Sequence, residues 1–496
     1  MRLSKGSARK ACTAGLALVT ALSMMPTAAF AANLESNTAD ITIDGVGSGD
    51  TVTAYEILDR NYDKPTNNVR DTFLEGTGYT LKQFQALKSD SDGMKTAADK
   101  IASLIKAGTA KPLSEKSLTA KNGSVTFKDA PTGEWLILVT NADKTVTKVY
   151  QNTIVSNAPE ANATTGEYEA KDATATIKSS DETVKKGVGT NKQDAMDAKA
   201  SDGQYGIGDT VPFVIDTIVP NYPVDATNKT FVVGDTPDAG LAIDQDSVHV
   251  YTVDASGTEG EVAKSNYSSK VEGGVLSVTF TDGYIKDNPG QEILVKYGAK
   301  VTSAAKVTKD RTTQNSASIT FNPNPYEEGT STPTSTTTVK TYGLFFVKKG
   351  DGKALEGAKF QIKYNSGEKS GQFVKDEKGN NLESTSDDKG YVWFDGLAKG
   401  DYTLVETYAP TGFQKVDDFP VKLDGSGSAD NPHTQDVEEA NFVQYNAEDG
   451  VVDPKVGLLP STGDAGTIGL TAVGICLVAG SAFVIVSHDR RKRAED

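Results

Sequence analysis

The sequence predicts a mainly β protein made of tandem Ig-like β-sandwich domains. Short runs in which apolar and polar residues alternate recur through most of the chain, and turns rich in Gly, Asp and Pro separate them. Apolar residues at helical spacing are concentrated in 81–105, which predicts one small helical insertion. Two terminal signals, described below, leave about 430 residues, which is too long for one core and suits about three domains.

Residues 1–31 have the features of a secretory signal peptide. A positively charged beginning is followed by a mostly apolar stretch, 14–25, and by Ala29-Phe30-Ala31, which has the small-x-small form that precedes cleavage. The basic residues are Arg2, Lys5, Arg9 and Lys10. We expect cleavage after Ala31 and export of the remaining chain.

The first predicted domain, 32–165, combines strands with helices. Strand-like alternation occurs at 39–43, 51–58, 123–127, 134–139 and 147–155. Helical spacing occurs at 81–87 and 94–105. The pattern predicts a β-sandwich with a helical insertion, and Trp135, on an alternating strand, is predicted to be a core residue.

The second and third predicted domains are rich in strands. The second, 166–325, has few helix signals, and its strand candidates are 211–218, 231–233, 248–254, 275–280, 293–297 and 317–321. Residues 326–339, rich in Ser, Thr and Pro, are predicted to be a linker because such a run offers no apolar face. The third domain, 340–457, has strand candidates at 344–348, 359–364, 391–394, 402–406 and 442–445.

The C-terminus, 458–496, contains three adjacent signals. Leu459-Pro460-Ser461-Thr462-Gly463 is followed by 20 uncharged residues, 468–487, and then by the basic run 490–493. An apolar helix of this length spans a ~30 Å hydrocarbon core, and a basic tail stays on the cytoplasmic side. The combination resembles the cell-wall sorting signal of Gram-positive surface proteins. That resemblance implies a sortase that cuts between Thr462 and Gly463 and joins Thr462 to an external amine. An ordinary single-span tail anchor is the alternative.

Composition narrows the functional classes. The signal peptide carries four basic and no acidic residues, and 463–496 carry four of each sign, so the net charge of −16 becomes −20 for 32–462. This acidity argues against nucleic acid and anionic membranes as partners. Both cysteines, Cys12 and Cys476, lie in the terminal signals, so the mature chain has no disulfide. Only His249 and His433 remain, in different domains, which argues against a His-based metal site or catalytic triad. We expect no cofactor, no metal and no enzyme activity.

Residues 402–413 carry the most specific family signal. They read Tyr-Thr-Leu-Val-Glu-Thr-Tyr-Ala-Pro-Thr-Gly-Phe, which closely matches the E-box of Gram-positive pilins, with Phe413 in place of the final Tyr. Together with Lys348-Lys349-Gly350, 355–360 and 390–397, this segment resembles a collagen-binding-protein B-type (CnaB) domain. The middle domain, with Ile207-Gly208-Asp209 and with Asp235 before Gly240-Leu241, resembles the A-type middle domain of sortase-assembled backbone pilins.

This resemblance implies spontaneous Lys–Asn isopeptide bonds. Burial disfavours charge, so it lowers the pKa of a lysine and raises that of a carboxyl, which leaves a neutral amine beside an acid that can polarise a carboxamide. Fixed proximity replaces an encounter between the groups. In the third domain the resemblance assigns Lys348 as nucleophile, Glu406 as helper and Asn446 as acceptor. Lys349 and Asn441 are the alternatives.

In the middle domain we predict Lys185 as the amine, Asp235 as the helper and Asn315 as the acceptor. Asn315 shares strand parity with apolar residues of 317–321, which are expected to face inward. Lys186 and Asn322 are the alternatives.

A backbone pilin also needs a lysine that links subunits. In the family it precedes the first isopeptide lysine, at the end of the N-terminal domain, and Lys178 occupies that place. The strict pilin motif, Trp-x-x-x-Val-x-Val-Tyr-Pro-Lys, is absent, and Lys171 and Lys148 are the alternatives.

The resemblance as a whole predicts a wall-anchored shaft subunit of a covalent surface pilus that supports adhesion. Its implied partners are pilin-type and housekeeping sortases, copies of itself, ancillary pilins, peptidoglycan and host surface ligands. A non-polymerised adhesin, or a tip or base pilin, is the alternative.

Overall fold

The computed structural model describes residues 37–456, except 64–65, 67, 144–145, 199, 306–312 and 426–441. The predicted signal peptide, the sorting motif and the predicted transmembrane span lie outside the described residues. In the described part, no helix is both long enough and apolar enough to cross a bilayer. The chain forms two compact units. One contains the first two predicted domains, up to Tyr342, with Lys375–Asn380 and Asp395–Lys399, and the other contains the rest of the third.

The first domain is a β-sandwich with two main helices. Its strands are β1 (Thr38–Asp44), β2 (Thr51–Asp63), β3 (Asn68–Phe73), β4 (Glu115–Thr119), β5 (Ser124–Pro131), β6 (Gly133–Thr140), β7 (Lys148–Tyr150), β8 (Thr153–Ser156), β9 (Glu160–Ala161), β10 (Tyr168–Glu169), β11 (Ala173–Thr176) and β12 (Ser179–Asp181). The helices are α1 (Leu81–Ala86) and α2 (Ser91–Lys106), joined by a 3₁₀ turn, Leu87–Ser89. One sheet has the order β11-β1-β5 and the other β3-β2-β6-β8, with β4 beside β2.

The predicted helical insertion is confirmed, and its ends have local causes. Thr80 and Gln83 form a capping box at the start of α1, and the Asp90 side chain accepts a hydrogen bond from the Gly93 amide at the start of α2. The apolar stripe of α2, including Ile101, packs against the face of β2 and β6. The opposite face of that sheet, with Trp135 fully buried as predicted, forms the core shared with β1 and β5.

The first domain extends beyond the predicted boundary at 165. Strand β11 pairs in parallel with β1, and β12 pairs with β7, so the domain continues to Asp181. The boundary prediction was wrong because these strands are only four and three residues long and only partly buried, so their pairing with distant strands is what identifies them as part of the sandwich.

The middle domain is a sandwich of two six-stranded sheets. Its strands are β13 (Val184–Val188), β14 (Ala200–Asp202), β15 (Thr210–Ile218), β16 (Phe231–Pro237), β17 (Leu241–Ile243), β18 (His249–Val253), β19 (Glu259–Glu261), β20 (Tyr267–Glu272), β21 (Val275–Phe280), β22 (Glu292–Val301), β23 (Thr313–Phe321) and β24 (Thr334–Lys340). Its helices are α3 (Lys192–Ala198), α4 (Asp282–Asp287) and two 3₁₀ turns, Gln245–Ser247 and Lys264–Asn266. The first sheet has the order β13-β15-β22-β18-β19, with β17 beside β22, and the second has the order β14-β24-β23-β16-β21-β20.

The segment predicted as a linker, 326–339, is partly a strand of this sandwich. Strand β24 pairs with β23 along its length, with Thr337 and Val339 buried. The linker prediction was wrong here because Thr is β-branched and fits a pleated surface, so a Thr-rich run is compatible with a strand.

The turn before β24 connects the middle domain to the first. Asn324 accepts a hydrogen bond from the Asn141 amide at 2.8 Å and donates one to the Asn141 carbonyl at 3.1 Å. Tyr326 accepts a hydrogen bond from Asn152 at 2.6 Å, and Asn152 also donates to Asp99 at 2.8 Å. These polar contacts explain why the first two predicted domains form one compact unit.

The third domain is a smaller sandwich. Its strands are β25 (Tyr342–Gly350), β26 (Lys353–Ala354), β27 (Lys359–Tyr364), β28 (Glu383–Thr385), β29 (Tyr391–Leu397), β30 (Gly400–Tyr408), β31 (Phe419–Leu423), β32 (Phe442–Gln444) and β33 (Val451–Asp453). One sheet has the order β28-β27-β30-β31. In the other, β25 lies between β26 and β29 and pairs in parallel with β32 and β33.

Candidate functional site: two buried lysine clusters

Two lysines of the described chain are buried, Lys186 in the middle domain and Lys348 in the third. Their exposed fractions are 4% and 0%. A charged ammonium is costly to remove from water and therefore requires partners or loss of its proton. Both lysines lie against buried carboxyl groups, so each defines a candidate site.

The middle-domain cluster consists of Lys186, Asp235, Tyr297 and Asn315, each at most 4% exposed. The Lys186 ammonium contacts the Asp235 carboxylate and the Tyr297 hydroxyl. The Tyr297 hydroxyl donates to Asp235 Oδ2 at 2.6 Å and accepts from Asn315 Nδ2 at 3.1 Å. The amine, the acid and the carboxamide are thus linked through one phenol oxygen.

The two sheets of the sandwich bring these four side chains together. Lys186 and Tyr297 lie on β13 and β22, which both pair with β15, while Asp235 and Asn315 lie on the adjacent strands β16 and β23 of the other sheet. Asn315 stands opposite Pro237, two residues from Asp235, so both side chains leave the same face of their sheet. The cluster is therefore built across the core of the sandwich.

Burial shifts the pKa values of Lys186 and Asp235 in the directions that the predicted isopeptide reaction requires. Desolvation lowers the pKa of Lys186 to about 8, against the opposing attraction of Asp235. Desolvation also raises the pKa of Asp235, against the effects of Lys186, Tyr297 and Asn315. The Lys186 nitrogen lies 4.6 Å from the ring centre of Phe213, which completes an apolar wall. Both shifts favour the neutral amine and the neutral acid over the charged pair, compared with the same groups in water.

Lys185, predicted as the middle-domain amine, is exposed and lies outside the cluster. Adjacent residues of a strand point to opposite faces, and Val184 and Val188 are buried, so the inward lysine is Lys186. The assignment of Lys185 was wrong by one position. Alternation of Val184, Lys186 and Val188 was the signal that could have identified the inward residue.

Asp235 and Asn315 lie in the cluster, where the sequence predicted them, although their roles stay a prediction. The alternative acceptor, Asn322, is buried elsewhere: its side-chain amide donates to the carbonyls of Asn228 and Glu327. Tyr297 was missed by sequence reasoning, because a tyrosine on an alternating strand is ordinarily a core residue.

The third-domain cluster consists of Lys348, Glu406 and Asp453, each at most 3% exposed. The Lys348 nitrogen lies 3.3 Å from Glu406 Oε2 and contacts Asp453 Oδ1. Glu406 Oε2 also accepts a hydrogen bond from the Val416 amide at 2.8 Å. Burial, with a smaller contribution from the Asp453 carboxyl, raises the pKa of Glu406 to about 7, against the Val416 amide and Lys348.

Asn446, predicted as the acceptor, is exposed and is not among the hydrogen-bond partners of Lys348, which are Glu406 and Asp453. It lies in a turn with a positive φ of 47°, and its side-chain amide donates to the Gly450 carbonyl at 2.7 Å. Its assignment was wrong because the chain makes this turn before the last strand begins. Strand β33 then runs parallel to β25, with Val451 opposite Lys348, and delivers Asp453 to the lysine.

Of the two alternatives in the third domain, Lys349 lies outside this cluster. Lys349 is half-buried and, as the neighbour of Lys348 on one strand, points to the opposite face. Asn441 lies outside the described residues. Lys348 and Glu406 lie together as the sequence predicted, and their chemical roles stay a prediction.

Lys178 lies at the end of the first domain, between β11 and β12. It is half-buried, and its carbonyl accepts a hydrogen bond from the Gln151 amide at 2.9 Å. Lys171 is exposed and forms an ion pair with Glu160 at 2.7 Å. Lys148 is half-buried on β7. Which of these lysines links subunits stays a prediction.

Comparison with known proteins adds two family matches, both in the C-terminal part of the chain. Residues 343–455 match the SpaA model, described as a prealbumin-like fold domain. Residues 452–495 match the model of the LPXTG cell wall anchor motif, which includes Leu459-Pro460-Ser461-Thr462-Gly463. No curated protein matches this sequence.

Solved structures extend the similarity over most of the chain. The T6 backbone pilin of serotype M6 Streptococcus pyogenes, described as a modular three-domain structure, aligns with a TM-score of 0.60 and 17% identity. The alignment covers 85% of this chain and 99% of that one. The chain has the fold of a backbone pilin. The major pilin SpaD from Corynebacterium diphtheriae has a TM-score of 0.49 at 18% identity, and BcpA of Bacillus cereus 0.44 at 17%. Each of these two alignments covers 85% of this chain, and they cover 98% of the SpaD chain and 100% of the BcpA chain.

Proposed function

We propose that this protein is a shaft subunit of a covalent surface pilus, polymerised by a pilin-type sortase and attached to peptidoglycan by a housekeeping sortase. One combination carries the proposal. The chain has the fold of a backbone pilin, and an LPXTG anchor motif, matched at 452–495, follows its third domain. In this role the chain is a sortase substrate, and its own chemistry is confined to cross-links within its domains. Copies of itself, ancillary pilins and host surface ligands are its proposed partners.

Lys178 is the proposed linking amine. It follows β11, the strand that closes the first domain against β1, and precedes the buried cluster of the middle domain by a few residues. The sortase would cleave after Thr462, and Lys178 Nζ of another subunit would take the acyl group. One such bond for each subunit gives a head-to-tail chain.

Two internal amide bonds are proposed to stabilise the subunit. In the middle domain, Lys186 Nζ attacks the side-chain carbonyl carbon of Asn315, with Asp235 as the acid, and ammonia leaves. In the third domain, Lys348 Nζ attacks the carboxyl carbon of Asp453, with Glu406 as the acid, and water leaves. Burial of amine and acid supports both reactions. In the third domain the reacting groups, Lys348 and Asp453, are in direct contact. In the middle domain Lys186 contacts its acid, Asp235, and is linked to Asn315 through the Tyr297 hydroxyl.

The proposal is tested on cell-wall extracts of the organism, by immunoblot after separation under denaturing conditions. A shaft subunit gives a ladder of high-mass species, and Lys178→Ala should abolish the ladder while wall-attached monomer remains. Lys171→Ala, at an exposed lysine of the same region, is the matched control and should keep the ladder. A ladder that persists in Lys178→Ala shows that another lysine links the subunits.

A non-polymerised adhesin or an ancillary pilin is the second candidate. The departure of the sequence before Lys178 from the strict pilin motif favours it. A wild-type protein that appears in the wall only as a single band would replace the shaft assignment with this one.

A further inference from the structure

We propose that Tyr297 is a catalytic residue of the middle-domain cross-link and delivers the proton that allows ammonia to leave. This inference rests on the proposed Lys186–Asn315 bond and assigns one further participant to it. Sequence reasoning gave Tyr297 no role, and the third-domain cluster contains no tyrosine.

The position of the phenol oxygen carries the inference. Asn315 Nδ2 is the atom that must leave as ammonia, and its hydrogen bond, at 3.1 Å, is to the Tyr297 hydroxyl. The same hydroxyl donates to Asp235 Oδ2 at 2.6 Å and contacts the Lys186 nitrogen. It therefore touches the attacking nitrogen, the leaving nitrogen and the acid. Asn315 Oδ1 has no hydrogen-bond partner among the described residues. The Asn315 side chain also interacts with the Asp235 carboxyl, so we assign Oδ1 as the atom that receives the Asp235 proton.

The reaction can be balanced with these four groups alone. Lys186 first gives one proton to Asp235 and becomes a neutral amine. Its Nζ then forms a bond to the carbonyl carbon of Asn315 while the Asp235 proton moves to Oδ1. The new N–C bond leaves a positive charge on Nζ, which passes a proton to the Tyr297 oxygen as the Tyr297 hydroxyl proton moves to Nδ2. The carbon–Nδ2 bond breaks, ammonia leaves, the carbonyl reforms and the Oδ1 proton returns to Asp235.

The identity of the acceptor explains why this cluster needs the tyrosine. An amide nitrogen leaves only after protonation, so an acid must stand at Nδ2 as well as at the carbonyl oxygen. In the third domain the acceptor is Asp453, whose leaving group is a hydroxyl, and Glu406 lies next to both Asp453 and Lys348. One acid can serve that reaction, because protonating the leaving oxygen of a carboxyl is sufficient.

Tyr297→Phe tests the role with little structural change. The variant keeps the ring, including its stacking against Phe213 at 5.5 Å between ring centres, and removes only the oxygen. The full chain is pulse-labelled in the producing cells, and its intact mass is followed during the chase. We expect ammonia loss in the middle domain to slow by about a hundredfold, a typical contribution of a general acid. Loss of water at Lys348 should be unchanged and serves as a control within the same molecule.

Tyr222→Phe is the matched control variant. Tyr222 is a buried tyrosine of the same domain, and its hydroxyl donates to the Thr230 carbonyl at 2.7 Å and accepts from the Asn322 amide at 2.8 Å. This variant should lose ammonia at the wild-type rate. Equal slowing in both variants would overturn the proposal in favour of a general effect on folding, and wild-type kinetics in Tyr297→Phe would overturn it directly. Absence of ammonia loss in the wild type would instead refute the underlying bond.

Discussion

Replacing Glu406 by Gln should prevent the third-domain bond while preserving the shape of the side chain. Glu406 lies 3.3 Å from the Lys348 nitrogen, and burial raises its pKa to about 7, so at neutral pH it can hold the proton that the leaving oxygen of Asp453 needs. The Gln side chain keeps an oxygen that can accept from the Val416 amide but has no acidic proton to transfer. We expect Glu406→Gln to fold without the cross-link.

The loss of stability follows from the length of the closed loop. Lys348 and Asp453 are 105 residues apart in sequence. If the bond restricts the unfolded chain as a disulfide does, a loop of this length contributes about 5 kcal/mol. For a domain of about 100 residues, each kcal/mol corresponds to about 4 °C, so the third-domain transition should fall by about 20 °C.

The assay combines intact mass with calorimetry of the secreted chain. The wild type should be lighter than its sequence by one water for the third domain, and Glu406→Gln should retain that water. Glu383→Gln is the matched control, because Glu383 lies on β28 of the same domain and pairs at the surface with Lys359. It should lose water normally and melt near the wild-type temperature, since exposed ion pairs contribute little.

Two results would refute this reasoning. A Glu406→Gln chain that has lost water would show that Glu406 is not the required acid. A Glu406→Gln chain that retains water but melts within a few degrees of the wild type would show that the wild-type bond does not stabilise the domain by restricting the unfolded chain.

Three further predictions concern the residues that the structure reassigned or left unpaired. Asp453→Asn should cross-link more slowly than the wild type, because Glu406 is then the single acid for an amide leaving group, and should lose ammonia and end at the same final mass, because the product amide is identical. Asn446→Gly, which keeps the positive φ, should cross-link at the wild-type rate, and the reverse pattern in mass spectrometry would restore Asn446 as acceptor. Lys186→Met should abolish ammonia loss in the middle domain while Lys185→Met keeps it, and retention of the bond in Lys186→Met would refute the inward assignment. Burial raises the pKa of Glu182 to about 7, and within the described residues one of its carboxylate oxygens has no hydrogen-bond partner. The contribution of Glu182 to the free energy of unfolding is therefore complete below the ordinary pKa of 4.5 and is lost as pH rises through 7. Glu182→Gln should therefore raise the stability of the first compact unit by about 3 kcal/mol above neutral pH and leave it unchanged in acid, which thermal unfolding at both ends of this range would measure; a variant with an unaltered pH dependence would contradict it.

The two terminal signals could be predicted from the sequence alone. The predicted signal peptide and the sorting motif are linear patterns, so their residues need no fold to be identified, and a family model independently matches the sorting motif at 452–495. The mainly β character, the helical insertion and the buried Trp135 also followed from local periodicity, because alternation and helical spacing report directly which face of an element is apolar. Glu406 and Asp235 were found through motifs.

The composition of the two clusters was decided by the tertiary structure. Lys186 rather than Lys185 faces inward because packing of β13 against the core fixes its parity. Asp453 rather than Asn446 meets Lys348 because the chain turns before β33 and then pairs in parallel with the first strand of the domain. The sequence contains acids and amides of the required kinds, but it does not show which of them meet in a core, since the hydrogen-bond partners of the two buried lysines lie between 49 and 111 positions from them. The role of Tyr297 could be inferred only from the tertiary structure. An alternating strand gives the same sequence pattern whether its buried tyrosine only packs in the core or also contacts reacting groups.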